Sequence, residues 1–347
     1  MQHDWAYCML LNFGGNVGLH GKMDVLIDGF YHAKEDSRSS QTLKGVGITP
    51  EGIENNPVMY ELLYELPWRE QRFTRDEWLK NYVQARYGTD DATLQQAWEI
   101  LGNGIYNSPK EKPQQGTHES VFCARPGLFV DKASSWAESK DYYKPEEVME
   151  AARLMLSVAD KFKGNNNFEF DLVDVLRQAI AEKGRLILKV VAAAYQAGDK
   201  VLFRQASERF LQLILLQDEL LGTRKEFRVG NWTAMARKIG TTVEEKNLYE
   251  WNARVQITTW GNRSAADAGK LRDYAHKEWN GILKDFYYMR WKKYFDSLTC
   301  TMAGGPAVKF DWYAIEEPWT KESDTYSSEV TGDCLEVSKR VYQSVFE

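Results

Sequence analysis

The sequence predicts a mainly α-helical protein that opens with about two β/α units in residues 1–73 and continues as a large all-helical domain over 74–347. Three observations carry this reading. Tyr7 to Phe13 is a short, nearly all-apolar run closed by Gly14 and Gly15, the pattern of a strand buried on both faces of a parallel sheet. A helical pattern, a second strand pattern and a second helical pattern follow in alternation before residue 70. From Thr74 onward the apolar spacing is helical almost throughout, with the change of texture at Arg69 to Thr74.

Taken in order, the first strand leads into a helix at residues 23–32, where apolar side chains fall at 23, 26, 27, 30 and 31. Thr42 to Thr49 reads as the second strand. Asn56 and Pro57 then start a helix through Leu66, proline being tolerated at the first helical position because its missing N–H has no partner there anyway. The periodicity beyond predicts helices near 75–87, 90–106, 145–162, 169–197, 200–221, 233–260, 270–298 and 332–346, packed as a bundle. Segments 108–143 and 302–330 hold most of the prolines and read as long loops, a class in which functional segments are over-represented. A strand pattern within a few residues of Met1 leads to the expectation that further sequence precedes these residues.

Composition excludes several classes of function. Hydrophobic residues make up 43% and charged residues 27%, a globular balance. With 44 basic and 50 acidic side chains the formal charge is −6, so no global positive field recruits nucleic acid or an anionic membrane surface. The apolar run Leu186 to Tyr195 is interrupted by Lys189 and is far shorter than the roughly 20 residues of a membrane-spanning helix. No signal peptide is expected, since neither a basic segment nor a cleavage site precedes the first apolar run. Four cysteines, at 8, 123, 300 and 334, show no Cys-x-x-Cys spacing, so neither a disulfide scaffold nor a zinc or redox motif is expected. Aromatic residues reach 13%, including 12 Trp and 18 Tyr, a surplus that fits either large helical cores or surfaces that grip the apolar faces of sugar rings.

The chemistry-bearing positions are few. The glycine-rich stretch Gly14 to Lys22 lies between strand and helix, yet it lacks both the dinucleotide fingerprint and the Walker spacing, so its glycines are read as a tight turn at a pocket rim. Glu51 follows the second strand directly and precedes Gly52. In a β/α barrel the strand C-termini form the catalytic face, so a carboxylate here can serve as nucleophile or base; the alternative is a solvated loop acid. Glu54 is explained by a helix N-terminus. His118, in the long loop, has no second His or Cys at metal-ligand spacing and is either a contact to sugar hydroxyls or a surface imidazole; no metal is expected. Trp260 and Tyr274 are expected to meet at a corner between helices, as core residues or as a sugar-stacking pair. Asn231 and Asn262 head glycosylation triplets, which occur often by chance.

At these residues the sequence resembles the α-N-acetylglucosaminidases of glycoside hydrolase family 89. The matching blocks run in order along nearly the whole chain: Cys8 to Gly21, Gly45 to Ile53, Asn55 to Tyr60, Ala85 to Gly88, Tyr106 and Asn107, Phe170 to Asp174, Thr259 to Gly261, Asp273 to Lys277 and Tyr288 to Trp291. The resemblance implies the last part of a (β/α)8 barrel followed by the family's C-terminal all-helical domain. It further implies a retaining exo-glycosidase that removes terminal α-linked N-acetylglucosamine from heparan sulfate or mucin-type glycans, with no cofactor and no metal, in a lysosomal, secreted or periplasmic setting. Retention requires two carboxyl groups about 5–5.5 Å apart. Glu51 matches the family's nucleophile, and the acid/base partner is expected on an earlier barrel strand, in an N-terminal remainder of the same protein. Leu10 and Phe13 match barrel positions that contact the sugar; His118, Trp260, Leu271 and Tyr274 match positions supplied by the helical domain. Leu11, Tyr7 and a longer turn over 262–270 depart from the lysosomal pattern. The competing reading is a non-catalytic carbohydrate-binding or scaffold module made of the helical domain, which has no use for a carboxylate at a strand end.

Overall fold

The fold is described from a computed structural model, which describes residues 3–52, 55–110, 119–135 and 142–347. The chain forms two compact units, one built from residues 1–118 and 140–175, the other from 119–139 and 176–347.

In the first unit, β1 (Trp5–Met9) and β2 (Leu43–Ile48) pair in parallel with Tyr7 opposite Val46 and Met9 opposite Ile48. The crossover between them is α1 (Met23–Glu35), whose Met23, Leu26, Ile27, Phe30 and Tyr31 are buried. After β2 comes α2 (Pro57–Glu65), with Pro57 at its start and Val58, Met59, Leu62 and Leu63 turned inward. This is the expected β-α-β-α order. Then α3 (Arg75–Tyr87) begins at a reciprocal cap, in which the Thr74 side chain accepts from the Glu77 N–H and Glu77 accepts from the Thr74 N–H, and it ends at Gly88 in the left-handed region. Asp91 caps α4 (Ala92–Asn103), which packs on α5 (Pro145–Ser157). The long α6 (Asn166–Gln196) starts in this unit, where its buried Asp171 accepts hydrogen bonds from Arg86 and Tyr87.

The second unit is helical: the rest of α6, α7 (Lys200–Leu221), α8 (Val229–Arg237), α9 (Val243–Gln256), α10 (Tyr288–Met302), α11 (Trp312–Lys321) and α12 (Cys334–Phe346). Its centre is aromatic. Phe210 lies 4.6 Å from Trp291 and 5.1 Å from Phe122, ring centre to ring centre. Gly184 of α6 gives Phe122 its seat, since a Cβ there would come within 2.3 Å of the ring.

Several expectations are corrected. Strand pairing ends at Met9, and Phe13–Gly15 is a single 3-10 turn. The residues of β1 alternate between half-buried and exposed up to Met9, because among the described residues the sheet has two strands, each with one neighbour. The single helix expected over 233–260 is two: the chain turns at Gly240, and Thr242 caps α9 reciprocally with Glu245. The helix expected over 270–298 begins late, because Lys270, Asp273, His276 and Gly281 have positive φ, which no α-helix accepts. Its regular part starts with a π-turn at Leu283–Tyr287. Within 302–330, read as loop, Asp311 caps α11.

Candidate active site

The Glu51 region is built by two loops of the first unit. Asn12, at the end of the β1 segment, and Asn56, just before α2, both take left-handed backbone, with φ of 60° and 52°. Asparagine tolerates this conformation better than other residues with a Cβ. Both side chains are buried and bonded to each other, Asn56 Nδ2 donating to Asn12 Oδ1 at 3.0 Å. Asn12 Nδ2 lies within hydrogen-bond distance of Gly52 O (3.1 Å), Asn55 O (3.3 Å) and Tyr60 Oη (2.9 Å), so one amide ties the chain leaving β2 to the chain leaving β1. Asn56 also donates to Gly18 O and accepts from the His20 N–H, which holds the glycine-rich stretch against the same knot.

Glu51 sits on the exposed side of this knot. Gly14, with φ 65° and ψ 2°, turns its N–H toward the carboxylate and donates to Oε2 at 2.6 Å. Among the described residues Oε1 has no partner. One oxygen is thus anchored and the other presented, the arrangement a nucleophilic carboxylate needs. The glycine turn therefore does more than shape a rim: it supplies the donor that orients the acid.

Leu10, which is 49% exposed, and the half-buried Phe13 line a cavity of about 430 Å³ beside β1, together with Tyr7, Met9, His20 and Met59. His20 is buried under it, and its Nδ1 lies 2.7 Å from Tyr142 Oη, which donates to Ile105 O. Burial, aided by the Lys22 charge, pushes the imidazole down to about 3, so it is neutral at physiological pH.

The second unit brings together Trp260, Leu271 and Tyr274. After α9, the Trp260 N–H donates to Val255 O at 2.7 Å and the residue turns left-handed, with φ 60°. The Asp273 N–H donates to Thr258 O at 2.8 Å and stitches the returning strand of the loop alongside. This places Tyr274 edge-on to Trp260, ring centres 5.1 Å apart and planes at 87°. Trp260, Leu271 and Tyr274 are all half-buried.

Beneath this pair lies an ion cluster. Asp273, fully buried, receives both terminal nitrogens of Arg290, at 2.9 and 3.1 Å. Arg290 also reaches Glu316 at 2.9 Å, and Arg125 binds Glu316 and Asp267. Burial alone would pull Arg290 down, but the Asp273 and Glu316 carboxylates more than offset it and hold the guanidinium above its ordinary range. His276 faces Glu119 at 3.5 Å, and Glu119 in turn accepts from Ser134. His118 and Glu54 lie outside the described residues. Among the described residues no group of three or more His, Cys, Asp or Glu has a metal-binding arrangement, and no helix is long and apolar enough to cross a membrane.

Sequence reasoning missed the Asn12–Asn56 knot and the Gly14 donor. The signal available was an asparagine at each of two loop entries, the residue with a Cβ that best tolerates left-handed backbone.

Comparison with known proteins divides the chain within the first compact unit. The profile described as the alpha-N-acetylglucosaminidase (NAGLU) C-terminal domain matches residues 78–344, and that described as its tim-barrel domain matches residues 1–70. The human alpha-N-acetylglucosaminidase is 31% identical over 345 residues, covering 97% of this chain and 44% of the human protein. A family 89 glycoside hydrolase from Clostridium perfringens, solved in complex with PUGNAc, superposes with a TM-score of 0.93 at 35% identity, covering 99% of this chain and 39% of that one. A Clostridium perfringens structure in complex with its substrate GlcNAc-α-1,4-galactose, in which two glutamates are replaced by glutamine, gives 0.91 at 34%, covering 98% and 39%. The chain thus spans about two fifths of the length of these relatives. With barrel portion and helical domain matched in order, the chain belongs to the α-N-acetylglucosaminidase family, glycoside hydrolase family 89.

Proposed function

We propose that this chain is the C-terminal part of a retaining exo-glycosidase that hydrolyses terminal α-linked N-acetylglucosamine, and that Glu51 is its nucleophile. The observation that carries the reading is the Glu51 carboxylate at the C-terminal end of β2, one oxygen held by the Gly14 N–H and the other free. In such a mechanism the free oxygen attacks the anomeric carbon, the glycosidic bond breaks as a general acid protonates the departing oxygen, and water later releases the sugar. The Gly14 donor fixes the aim of Glu51 without the substrate's help. By the family resemblance, Leu10 and Phe13 of the barrel portion and Trp260, Leu271, Tyr274 and His118 of the helical domain would contact sugar, aromatic rings such as Trp260 and Tyr274 being suited to a pyranose face.

The general acid, on this reading, resides in an N-terminal remainder that supplies the other barrel strands, so residues 1–347 alone turn over no glycoside. That acid typically contributes 10²–10⁴-fold. The pair of glutamate replacements in the Clostridium perfringens substrate complex supports a two-carboxylate requirement for that relative. The test is reconstitution: an aryl α-N-acetylglucosaminide is assayed with this chain alone, then with a separately expressed barrel segment, each with and without Glu51→Ala. Activity only on mixing, lost in Glu51→Ala and partly restored by azide, is expected. Turnover by this chain alone, or an active Glu51→Ala, would overturn the assignment.

A further inference from the structure

The turn that joins α8 to α9 gathers positive charge that the fold does not use. A cavity of about 380 Å³ opens there within the helical unit, between α8, the first turn of α9 and residues 324–326. Arg237, Lys238, Lys246 and Asp324 line it. Its volume falls within the roughly 300–1,000 Å³ of small-molecule sites.

The acid beneath this cavity is already committed. Glu250, fully buried, accepts from Arg237 Nη1 at 2.8 Å, from Arg254 Nε at 2.9 Å and from the Asp324 N–H at 2.9 Å. The other terminal nitrogen of Arg237, Nη2, lies 3.8 Å from Asp324 Oδ2, beyond hydrogen-bond reach. Among the described residues, Lys238 and Lys246 have neither a hydrogen-bond nor an ion-pair partner. A lysine standing in solvent needs none, and Lys238 is exposed; Lys246 is half-buried and still has none.

The backbone holds these cations together. Gly240 is buried in the turn, and a Cβ there would come within 2.6 Å of the Lys246 nitrogen and 2.9 Å of the Glu245 carbonyl carbon, so glycine is what lets the end of α8 approach α9 this closely. Like charges crowded at one cavity cost free energy that a bound anion would recover. Charge also selects the anion. Glu250 is matched by Arg254, so three cations against Asp324 leave two positive charges at the cavity. A phosphate monoester carries about −1.5 to −2 at pH 7 and offers three acceptor oxygens to separate donors. A sulfate ester or a carboxylate brings a single charge.

We infer that this cavity is a binding site for a phosphate monoester, with Lys238, Lys246 and Arg237 Nη2 as its donors. The site lies wholly within the helical unit and does not depend on the glycosidase reading. Asp324 is its one opposing charge among the lining residues, and the acid that sets how tightly the anion is held.

The test is isothermal titration calorimetry on the full chain at neutral pH and low ionic strength, with methyl phosphate, methyl sulfate and acetate as probes. Methyl phosphate should bind at one site, more weakly as salt rises, and methyl sulfate and acetate about tenfold more weakly than methyl phosphate. Lys238→Gln and Lys246→Gln should each weaken methyl phosphate about tenfold. Both variants should melt with the wild type, since neither side chain has a partner to lose. Asp324→Asn should tighten binding about fivefold by removing the opposing charge. Asparagine keeps both the left-handed backbone, with φ 56°, and the N–H that holds Glu250, so this variant leaves the fold in place. A gain of affinity is a readout that damage to the fold cannot produce. No binding of methyl phosphate by the wild type would overturn the inference. So would lysine variants that bind as the wild type does, an Asp324→Asn variant that binds no tighter, or methyl sulfate held as tightly as methyl phosphate.

Discussion

Replacing Asn12 tests the proposition that one buried amide sets the position of the chain around Glu51. Asn12→Ala removes two donated hydrogen bonds, shared among Gly52 O, Asn55 O and Tyr60 Oη, and the one accepted from Asn56. At about 1 kcal/mol net for each, the loss is about 3 kcal/mol. Alanine must also hold φ near 60°, which adds about 1 kcal/mol. The expected total is therefore about 4 kcal/mol for Asn12→Ala. Asn12→Gly loses the same bonds but not the backbone term, and should cost about 1 kcal/mol less. The order is informative, because at most buried positions glycine is the more damaging of the two. The assay is hydrogen exchange read at the amides of Gly14 and His20, whose bonds to Glu51 and Asn56 report directly on the knot. Reading local opening avoids assuming that a chain of two compact units unfolds in one step. Protection should fall most in Asn12→Ala, less in Asn12→Gly, and not at all in α10. Equal protection in wild type and Asn12→Ala would refute the reasoning, and a larger loss in Asn12→Gly would refute the backbone part of it.

Two further outcomes follow from buried charge. His20 titrates near its ordinary value when unfolded but is held down to about 3 when folded, so the unfolded chain takes up a proton that the folded chain refuses. Its stabilising contribution is complete above about pH 6.5 and is lost as pH falls toward 3, by up to about 1.4 kcal/mol per pH unit. Urea midpoints measured from pH 7 to 4 should therefore fall less steeply in His20→Gln; an unchanged pH dependence would count against the neutral buried imidazole. Arg290→Met leaves Asp273 and Glu316 without the cation they share, a loss of about 3–5 kcal/mol. Thermal melting is the check, and a variant within 1 kcal/mol of wild type, roughly, would show that the cluster is not held by Arg290.

Much of the fold was legible because the periodic signals were long. The helices α3 and α7 lie where apolar spacing places them, and the β-α-β-α order was readable from the alternation of strand and helix patterns before residue 70. The misreadings cluster where tertiary structure overrides propensity. Residues 270–282 have helical composition, yet the bond from Asp273 N–H to Thr258 O and the ion pair to Arg290 hold Asp273 in a left-handed conformation that interrupts any helix. No local pattern encodes a partner 17 residues downstream. The site was legible in part for the same reason. Glu51 could be singled out from its place at a strand end. The Gly14 donor could not, since the bond spans 37 residues and comes from a backbone atom that any residue possesses.

The stitch between Thr258 and Asp273 also bears on how this family can change. It closes residues 259–272 into a loop whose ends are pinned, one by the Val255 carbonyl at Trp260, the other by Arg290 at Asp273. Closure entropy varies only with the logarithm of loop length, so adding four residues to such a loop costs about 0.2 kcal/mol. Added residues are tolerated best at the exposed Ala268 to Lys270, since Ala266 is buried and Arg263 and Asp267 are held by Asp311 and Arg125, while the aromatic pair keeps its place at the pinned ends. Evolution is handed a short segment in which length is nearly neutral for folding, so variation can gather there without moving the pinned ends.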